Sequence, residues 1–468
     1  MYRNAREIPE KDDGHDPALA PHRGRSEPLC AFSLITSFEN ERSRKGHTLP
    51  RQRRRKGHVM NAHDTRILRD LAQRYLEICH GEAQAERRNL WRAHNSLRRT
   101  RPLIYVRAFA WSEMPESHGA CEDPFYRHYE DAFRRKLFWD TFDDDSIFEP
   151  WVTVGASTVT PPEGVWGLPV TWTASHDPRG SRRWDPPIKS ADDATRMVRP
   201  HHVIDEEATA RNVARLHEAI GDLITINVDR APAYRTWNGD ISTQLVYLRG
   251  LEQVMWDMMD RPGWLHGLLG FMRDGIMRTH EEAERAGDWT LCDHENQAMP
   301  YAEELKDPAP NSKSVTRDRL WYFCASQELT LVGPEMFDEF MLRYQIPIIE
   351  KFGLVAYGCC EDLTQKIRVL RRIPNLRRIA VAPAANVAKC AEQIGADYVL
   401  SYRPSPAEMV SCGFDPDYIR AKLRRDLEAC RECHVDITLK DVETVQGDPD
   451  RVRRWVRIAR EMIEEVAR

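Results

Sequence analysis

The chain is expected to be an α/β protein, a (β/α)8 barrel of parallel strands, on three observations. Eight short apolar runs recur along it, amphipathic helical stretches separate most of them, and each run is apolar nearly throughout. Such continuous apolarity is what a parallel sheet demands, because helices cover both of its faces or its entire outside. Eight units suit closure into a ring. An open, doubly wound sheet is the runner-up, and no glycine-rich phosphate fingerprint follows the first run to favour it.

The elements follow in order. "MNAHDTRILRDLAQRYLEICHG" from Met60 has the spacing of a capped amphipathic helix. "RPLIYVRAF" from Arg101 reads as the first strand, "DPFYRHYEDAFRRKLFWDTF" as a helix and "DDDSIFEPWVTVG" as the second strand. From Ala156 to about Pro200 the chain is rich in Pro, Trp, Gly and Asp without a sustained period, and is expected to be a long excursion over the rim. "DEEATARNVARLHEAIGD" is a helix whose positive end suits Asp205 and Glu206, and "DLITINVD" is the third strand. Helices from about Ile241 to Ala286 lead to "DWTLCDHEN", expected as the fourth. "GLVAYGCC", "NLRRIAVAP", "ADYVLSYRP" and "HVDITLKDV" complete the eight, with helical stretches between them.

At 468 residues and 41% hydrophobic content the chain can bury a substantial core. No stretch approaches the ~20 apolar residues of a membrane span. No apolar segment follows a basic start at the N-terminus, so a cytoplasmic location is expected. Eleven scattered cysteines fit reduced thiols better than a disulfide framework. Residues 1–59 carry 13 Lys/Arg and 8 Asp/Glu, +5, which leaves −5 − 5 = −10 for the rest. A body so acidic argues against nucleic acid as the main ligand. Residues 1–59, with their basic run "RQRRRKGH", are expected to be a disordered extension; Met60 is a second candidate start, and one barrel domain is expected over residues 60–468.

Barrel enzymes draw their chemistry from the C-terminal ends of strands. Standing there in this chain are Arg107, Glu149, Asp229, Asp293, His294, Glu295, Cys359, Cys360, Glu361, Arg403, Lys440, Asp441 and Glu443. "YGCCED" is the most informative group. Zinc takes thiolate, imidazole and carboxylate in tetrahedral sets, and a catalytic zinc keeps one position open. Buried structural thiols are the plain alternative for Cys359 and Cys360, a hydrogen-bonded core residue is the alternative for His294, and a salt-bridged pair is the alternative for Lys440 and Asp441. Gln327 and Glu328 face either the cavity or solvent. Cys433 and His434 sit about six strand residues, some 20 Å, from the opposite rim and are expected to be structural. Trp166, Trp172 and Trp184 suit either an aromatic lid or ordinary packing.

"RPLIYV", "DPFYRHYEDAFRRKLFWDTFDDDSIFEP", "YGCCEDLTQKIRVLRRIPNLRRIAVAP" and "ADYVLSYRPSPA", followed by "ITLKDVETV", resemble the uroporphyrinogen decarboxylase superfamily over residues 60–468. The resemblance implies a (β/α)8 barrel with one of two chemistries. Tetrapyrrole decarboxylases of that superfamily work without metal, through arginines and an aspartate, but their "RQAGRY"-type motif is replaced here by "VRAFAWSEM". Cobalamin-dependent methyltransferases bind zinc through His-x-Cys and a later cysteine. The corresponding place here reads Tyr357-Gly358-Cys359, and "LKDVET" stands where the later cysteine belongs.

What the resemblance implies is therefore a zinc-dependent methyltransferase moving a methyl group between a corrinoid carrier and a small thiol or related acceptor. Cys359 and Cys360 would hold the metal; His294, Glu361, Lys440 and Asp441 would complete or orient the site; Arg107, Glu149, Glu328 and Arg403 would bind substrate. No Asp-x-His-x-x-Gly corrinoid signature occurs in the chain, so the corrinoid would arrive on a separate partner protein. The rivals are a metal-free decarboxylase, with Arg107 or Arg403 on the substrate carboxylate, and a non-catalytic binding barrel.

Overall fold

Asn61 opens the first helix by accepting the His63 N–H at 2.9 Å, and apolar positions three and four apart bury one face of α1 (Ala62–Cys79). α2 (Glu82–Asn95), β1 (Leu103–Val106), α3 (Pro124–Asp140) and β2 (Trp151–Gly155) follow. The computed structural model describes residues 61–175 and 181–467; the expected N-terminal extension, its basic run and Met60 lie outside them. No helix among the described residues is long and apolar enough to cross a membrane.

The excursion after β2 carries a small antiparallel hairpin of β3 (Thr171–Thr173) and β4 (Arg183–Asp185). Asp205 caps α4 (Glu206–Ile220) through the Ala208 N–H, as its position before the apolar period predicts. β5 (Thr225–Asp229) leads to α5 (Ser242–Arg249), α6 (Leu251–Asp260) and α7 (Pro262–Ala286). The remaining strands are β6 (Trp321–Cys324), β7 (Leu354–Tyr357), β8 (Leu376–Val381), β9 (Val399–Tyr402) and β10 (His434–Leu439).

Six of these form one parallel sheet in the order β1-β10-β9-β8-β7-β6, and β2 pairs with β5, also in parallel. Among the described residues eight parallel strands are thus present, but the fourth is Trp321–Cys324 and not the expected "DWTLCDHEN". In that segment the Asp293 carboxylate accepts both the N–H and the hydroxyl of Thr290, at 2.6 and 3.0 Å. A local turn closed by a side chain wins over an extended ladder there.

No ladder joins the two parallel sheets among the described residues. Side chains take the edge groups instead. Asp144 and Asp145, from the turn before β2, accept the N–H groups of Val106 and Ile104 at 2.7 and 2.8 Å. On the far side Asn311 pairs with the edge of β5, accepting from Val228 N–H at 3.0 Å and donating to the Ile226 carbonyl at 2.8 Å. Each satisfied edge group removes the cost of a buried orphan without a strand partner.

Alternation divides the large sheet into two faces. Ile104, Val106, Tyr357, Val381, Ile437 and Leu439 join the main apolar cluster with the helices. The opposite face carries Tyr105, Arg378, Ser401, Asp436 and Thr438, all nearly or fully buried. α2 brings His94 and Asn95 to the N-terminal end of this face. There His94 Nε2 lies 3.1 Å from Asp436 Oδ2, and Asn95 Oδ1 accepts from Arg378 at 2.9 Å. Asp436 also accepts from Ser401 and Thr438, at 2.9 and 3.0 Å, and pairs with Arg378 at 2.8 Å. Burial works against its ionisation, yet Arg378 and these donors hold the carboxyl far below its usual range.

Candidate active site

Gly358 ends β7 at φ +99°, where an added Cβ would stand 2.6 Å from Leu363 Cδ1 and 3.1 Å from Ala380 Cβ. Only glycine makes this turn without strain. The turn delivers Cys359 and Cys360 to the C-terminal edge of the sheet. Glu361 then accepts the N–H groups of Cys359 and Ser326 at 2.7 and 2.9 Å, tying the end of β7 to the end of β6. Its carboxylate is buried and both oxygens are engaged in holding these two loops.

The two thiol sulfurs lie 3.6 Å apart. Lys440, the residue after β10, donates to Cys360 at 3.0 Å and to Cys359 at 3.5 Å, and forms an ion pair with Asp441. Asp441 Oδ2 is 3.8 Å from the Cys360 sulfur, with its backbone at φ +56°. Arg403 donates to the Cys359 carbonyl at 2.8 Å, while its Nε is buried without a partner. Arg107 reaches Gln297 Oε1 at 2.9 Å.

These charges set the thiols apart. Donation from Cys360 draws the Cys359 thiol down to about 6, burial resists, and the nearby cations Lys440, Arg403 and Arg107 reinforce the shift. Cys360 moves far upward, because it holds its proton against its neighbour's sulfur and is itself buried. One thiolate shared by the pair is the state this field favours. Burial alone would lower Lys440, but Cys359 and Asp441 beside it prevail and raise it.

Glu328 belongs to a second group. Ser242 and Thr243, at the start of α5, donate to its two oxygens, with Thr243 Oγ1 2.9 Å away. The same hydroxyl lies 2.7 Å from Asp240 Oδ2. A hydroxyl has one hydrogen, so it serves both carboxyls only if one of them is protonated. Burial, with Glu328 close by, raises Asp240 far above its usual range, and burial likewise raises Glu328. Ile241, between Asp240 and Ser242, holds φ +68°, an outlier for a β-branched residue.

The structure thus brings together Cys359, Cys360, Lys440 and Asp441, with Glu361 and Arg403 bonded to the Cys359 backbone. Two expected members stand elsewhere. His294 Nδ1 accepts the N–H of Trp321, the first residue of β6, and its Nε2 meets the Lys306 carbonyl at 3.1 Å. Trp321 and Ser326 are five residues apart on an extended run, roughly 16 Å, so His294 lies a strand's length from the thiols. Burial lowers its imidazole to about 4, and its ring satisfies an edge N–H of the sheet. Glu149, two residues before β2, is bound by Arg88 at 2.9 Å and by Tyr301, at the N-terminal end of its strand. The expectation that it follows a strand fails because the strand begins at Trp151.

Arg235 was not singled out by sequence reasoning, yet it gathers Asp229 with Asp293 and Glu295, the last two at 3.7 and 3.6 Å. Burial and the neighbouring Asp229 push Asp293 up to about 7. Asp240 was missed too; the signal was "DIST", an acid three residues before a hydroxyl at a helix start. Trp166 packs edge-on against Tyr234, whereas Trp172 and Trp184 face each other across the hairpin, both within 6 Å of Tyr247. Cys433 bonds the Ala391 carbonyl and His434 begins β10, in keeping with structural roles. A groove of about 270 Å³, lined by Glu206, Thr209, Arg230 and Lys313 among others, contains none of the expected site residues.

Two thiolates on a tetrahedral zinc at ~2.3 Å stand about 3.7 Å apart. The 3.6 Å between Cys359 and Cys360, and the 3.8 Å from Cys360 to Asp441, match two edges of such a set. Among the described residues, however, no group of three or more His, Cys, Asp or Glu side chains is placed to hold a metal ion, and the Lys440 ammonium stands against both thiols and Asp441. No family model matches the chain, and no curated protein matches it in sequence.

Proposed function

We propose that the chain is a (β/α)8-barrel enzyme of the uroporphyrinogen decarboxylase type. In this reading it moves a methyl group between a corrinoid on a separate protein and a small anionic thiol, in the reducing cytoplasm. Eight parallel strands and cysteines that are free thiols among the described residues support the barrel and the location. The observation that carries the chemistry is the convergence beside one strand end of the Cys359 and Cys360 thiols, 3.6 Å apart, with Asp441 3.8 Å from Cys360.

Cys359 and Cys360 would supply thiolate ligands to a zinc in this reading, with Asp441 beside them. Such an ion would lower the pKa of a substrate thiol and present it as thiolate. Gly358 aims both sulfurs to one side, and Glu361 keeps the loop in place through two backbone N–H groups. Arg403, with a buried N–H to spare, and Arg107 would seat the anionic end of the substrate, so that its thiol meets the metal side.

Metal analysis of the purified, reduced chain tests this reading. About one zinc per chain, lost in Cys359→Ala and in Cys360→Ala, is expected. A metal-free protein that also refuses added zinc would sink it. A second reading rests on a different observation. The Thr243 hydroxyl set between the Asp240 and Glu328 carboxyls, one of which must then carry a proton, together with Arg107 and Arg403, suits a metal-free decarboxylase in which the arginines bind a carboxylate and that carboxyl supplies the proton for carbon. Carbon dioxide release from a carboxylated substrate, abolished by Asp240→Asn with the zinc content unchanged, would favour it.

A further inference from the structure

The adjacent thiols at the end of β7 are arranged for a chemistry that needs no metal. The sulfurs of Cys359 and Cys360 are in direct contact at 3.6 Å. The Lys440 ammonium stands 3.0 Å from Cys360 and 3.5 Å from Cys359. These distances make a triangle, so the lysine covers the pair from one side and leaves the sulfurs touching each other. Cys359 is 2% exposed, whereas Cys360 is partly open to solvent. Glu361 and Arg403 fix the Cys359 backbone through its N–H and its carbonyl, at 2.7 and 2.8 Å. The inner sulfur is thus held in place behind an outer one that small molecules can reach.

Donation from Cys360, reinforced by the charges of Lys440 and Arg403, favours a thiolate on Cys359 against its burial. A thiolate in a cationic, partly open setting is what makes a cysteine reactive. A second thiol in contact turns the first oxidation step into a disulfide before higher oxides form.

We infer that Cys359 and Cys360 form an oxidation site for small hydroperoxides, closing to a disulfide between neighbours with Lys440 as the proton donor. The Cys360 sulfur attacks the terminal peroxide oxygen while its own proton passes to the Cys359 thiolate along their contact. An S–O bond forms, the O–O bond breaks, and the departing hydroxide or alkoxide takes a proton from the Lys440 ammonium. The neutral amine then takes the proton now on Cys359. The Cys359 sulfur attacks the sulfenic sulfur of Cys360, an S–S bond forms, and the S–O bond breaks with loss of hydroxide, which solvent protonates. Two electrons have left the sulfurs, and the peroxide is reduced to water, or to an alcohol and water. Neighbouring Cα atoms lie ~3.8 Å apart across a trans peptide, short of the ~4.4 Å at which ordinary disulfides begin. A bond closed over that span is readily reduced by exchange with a small thiol, so the modification is reversible. It removes both thiols from the reaction of the site, and it holds whether or not that reaction uses a metal.

Oxidation of the full reduced chain by hydrogen peroxide, with a chelator present, provides the test. Trypsin releases residues 352–366, in which Cys359 and Cys360 are the only cysteines, so loss of two hydrogens from that peptide reports the bond between them. The exposed Cys412 of the same chain is the internal standard. The pair is expected to oxidise at least about tenfold faster than Cys412 near neutral pH, as a thiolate does beside an ordinary thiol. Dithiothreitol is expected to restore the reduced mass. Oxidation no faster than that of Cys412, or sulfinic acid formed at the pair without the disulfide, overturns the proposal. Because this comparison lies within one wild-type chain, misfolding of a variant does not affect it. In Cys359→Ser the reaction should stop at a sulfenic acid on Cys360, trapped by dimedone; its absence there refutes the order of attack. Lys440→Met should oxidise about tenfold more slowly than wild type, and an unchanged rate would remove the lysine from the proton route.

Discussion

Cys359 and Gly358 show how far single residues decide the site. The Cys359 thiolate is favoured by donation from Cys360 and by the cations around it, down to about 6, against ~8.5 for a free cysteine. Thiolate absorbance near 240 nm, taken as wild type minus Cys359→Ser, should therefore rise through a midpoint well below that of an ordinary thiol. A midpoint at or above the ordinary value would show that neither Cys360 nor the surrounding cations act on it. Gly358→Ala places a Cβ at φ +99° against Leu363 and Ala380. Unfolding by denaturant should show a loss of about 2–4 kcal/mol, from backbone strain and overpacking together. The thiols, their acid neighbour and the glycine before them were legible as a cluster, because one strand end carries them consecutively. Lys440 as their counter-ion was not, since 80 residues separate it from Cys360 and only the pairing of distant strands brings it near.

Among the elements, the start of α5 is where sequence reading fell furthest short. Ser242 and Thr243 look like ordinary capping hydroxyls, and Glu328 like a loop acid, until the end of β6 meets the helix. Their joint burial then makes one proton part of the structure. Because the folded pKa of Asp240 is raised above its unfolded value of ~3.9, its contribution to stability is fully present below that pH and is lost as pH rises toward the folded value. Asp240→Asn removes this dependence. Its stability relative to wild type, measured by denaturant unfolding at pH 5 and at pH 8, should increase with pH; a constant difference would refute the shared proton. The fourth strand makes the same point about context. "DWTLCDHEN" and "DRLWYFCA" are both short apolar runs, and the choice between them rests on Asp293 closing a turn on Thr290.

Across the whole molecule, the polar face of the large sheet depends on its ion pairs. Asp436 is ionised because Arg378, His94 and two hydroxyls surround it. With its folded pKa depressed, it contributes stability above the unfolded value of ~3.9, and that contribution is lost as pH falls toward the folded value. Arg378→Met should cost about 3–5 kcal/mol by leaving a buried carboxylate short of its main partner. Thermal unfolding should also show the variant losing less on acidification than wild type does. An equal cost at every pH would place the effect in packing and not in the charge pair. The sequence by itself determined the α/β class, seven of the eight parallel strands, the helix caps at Asn61 and Asp205, and the thiols at the end of β7. Those features are written in local periodicity, capping chemistry and neighbours along the chain. Tertiary structure alone decided which apolar run became the fourth strand, that His294 and Glu149 stand beside the N-terminal ends of β6 and β2, and that Lys440 meets Cys359 and Cys360. Contacts of that kind arise from strand register and from the relief of buried charge, which act between residues that sequence order keeps far apart.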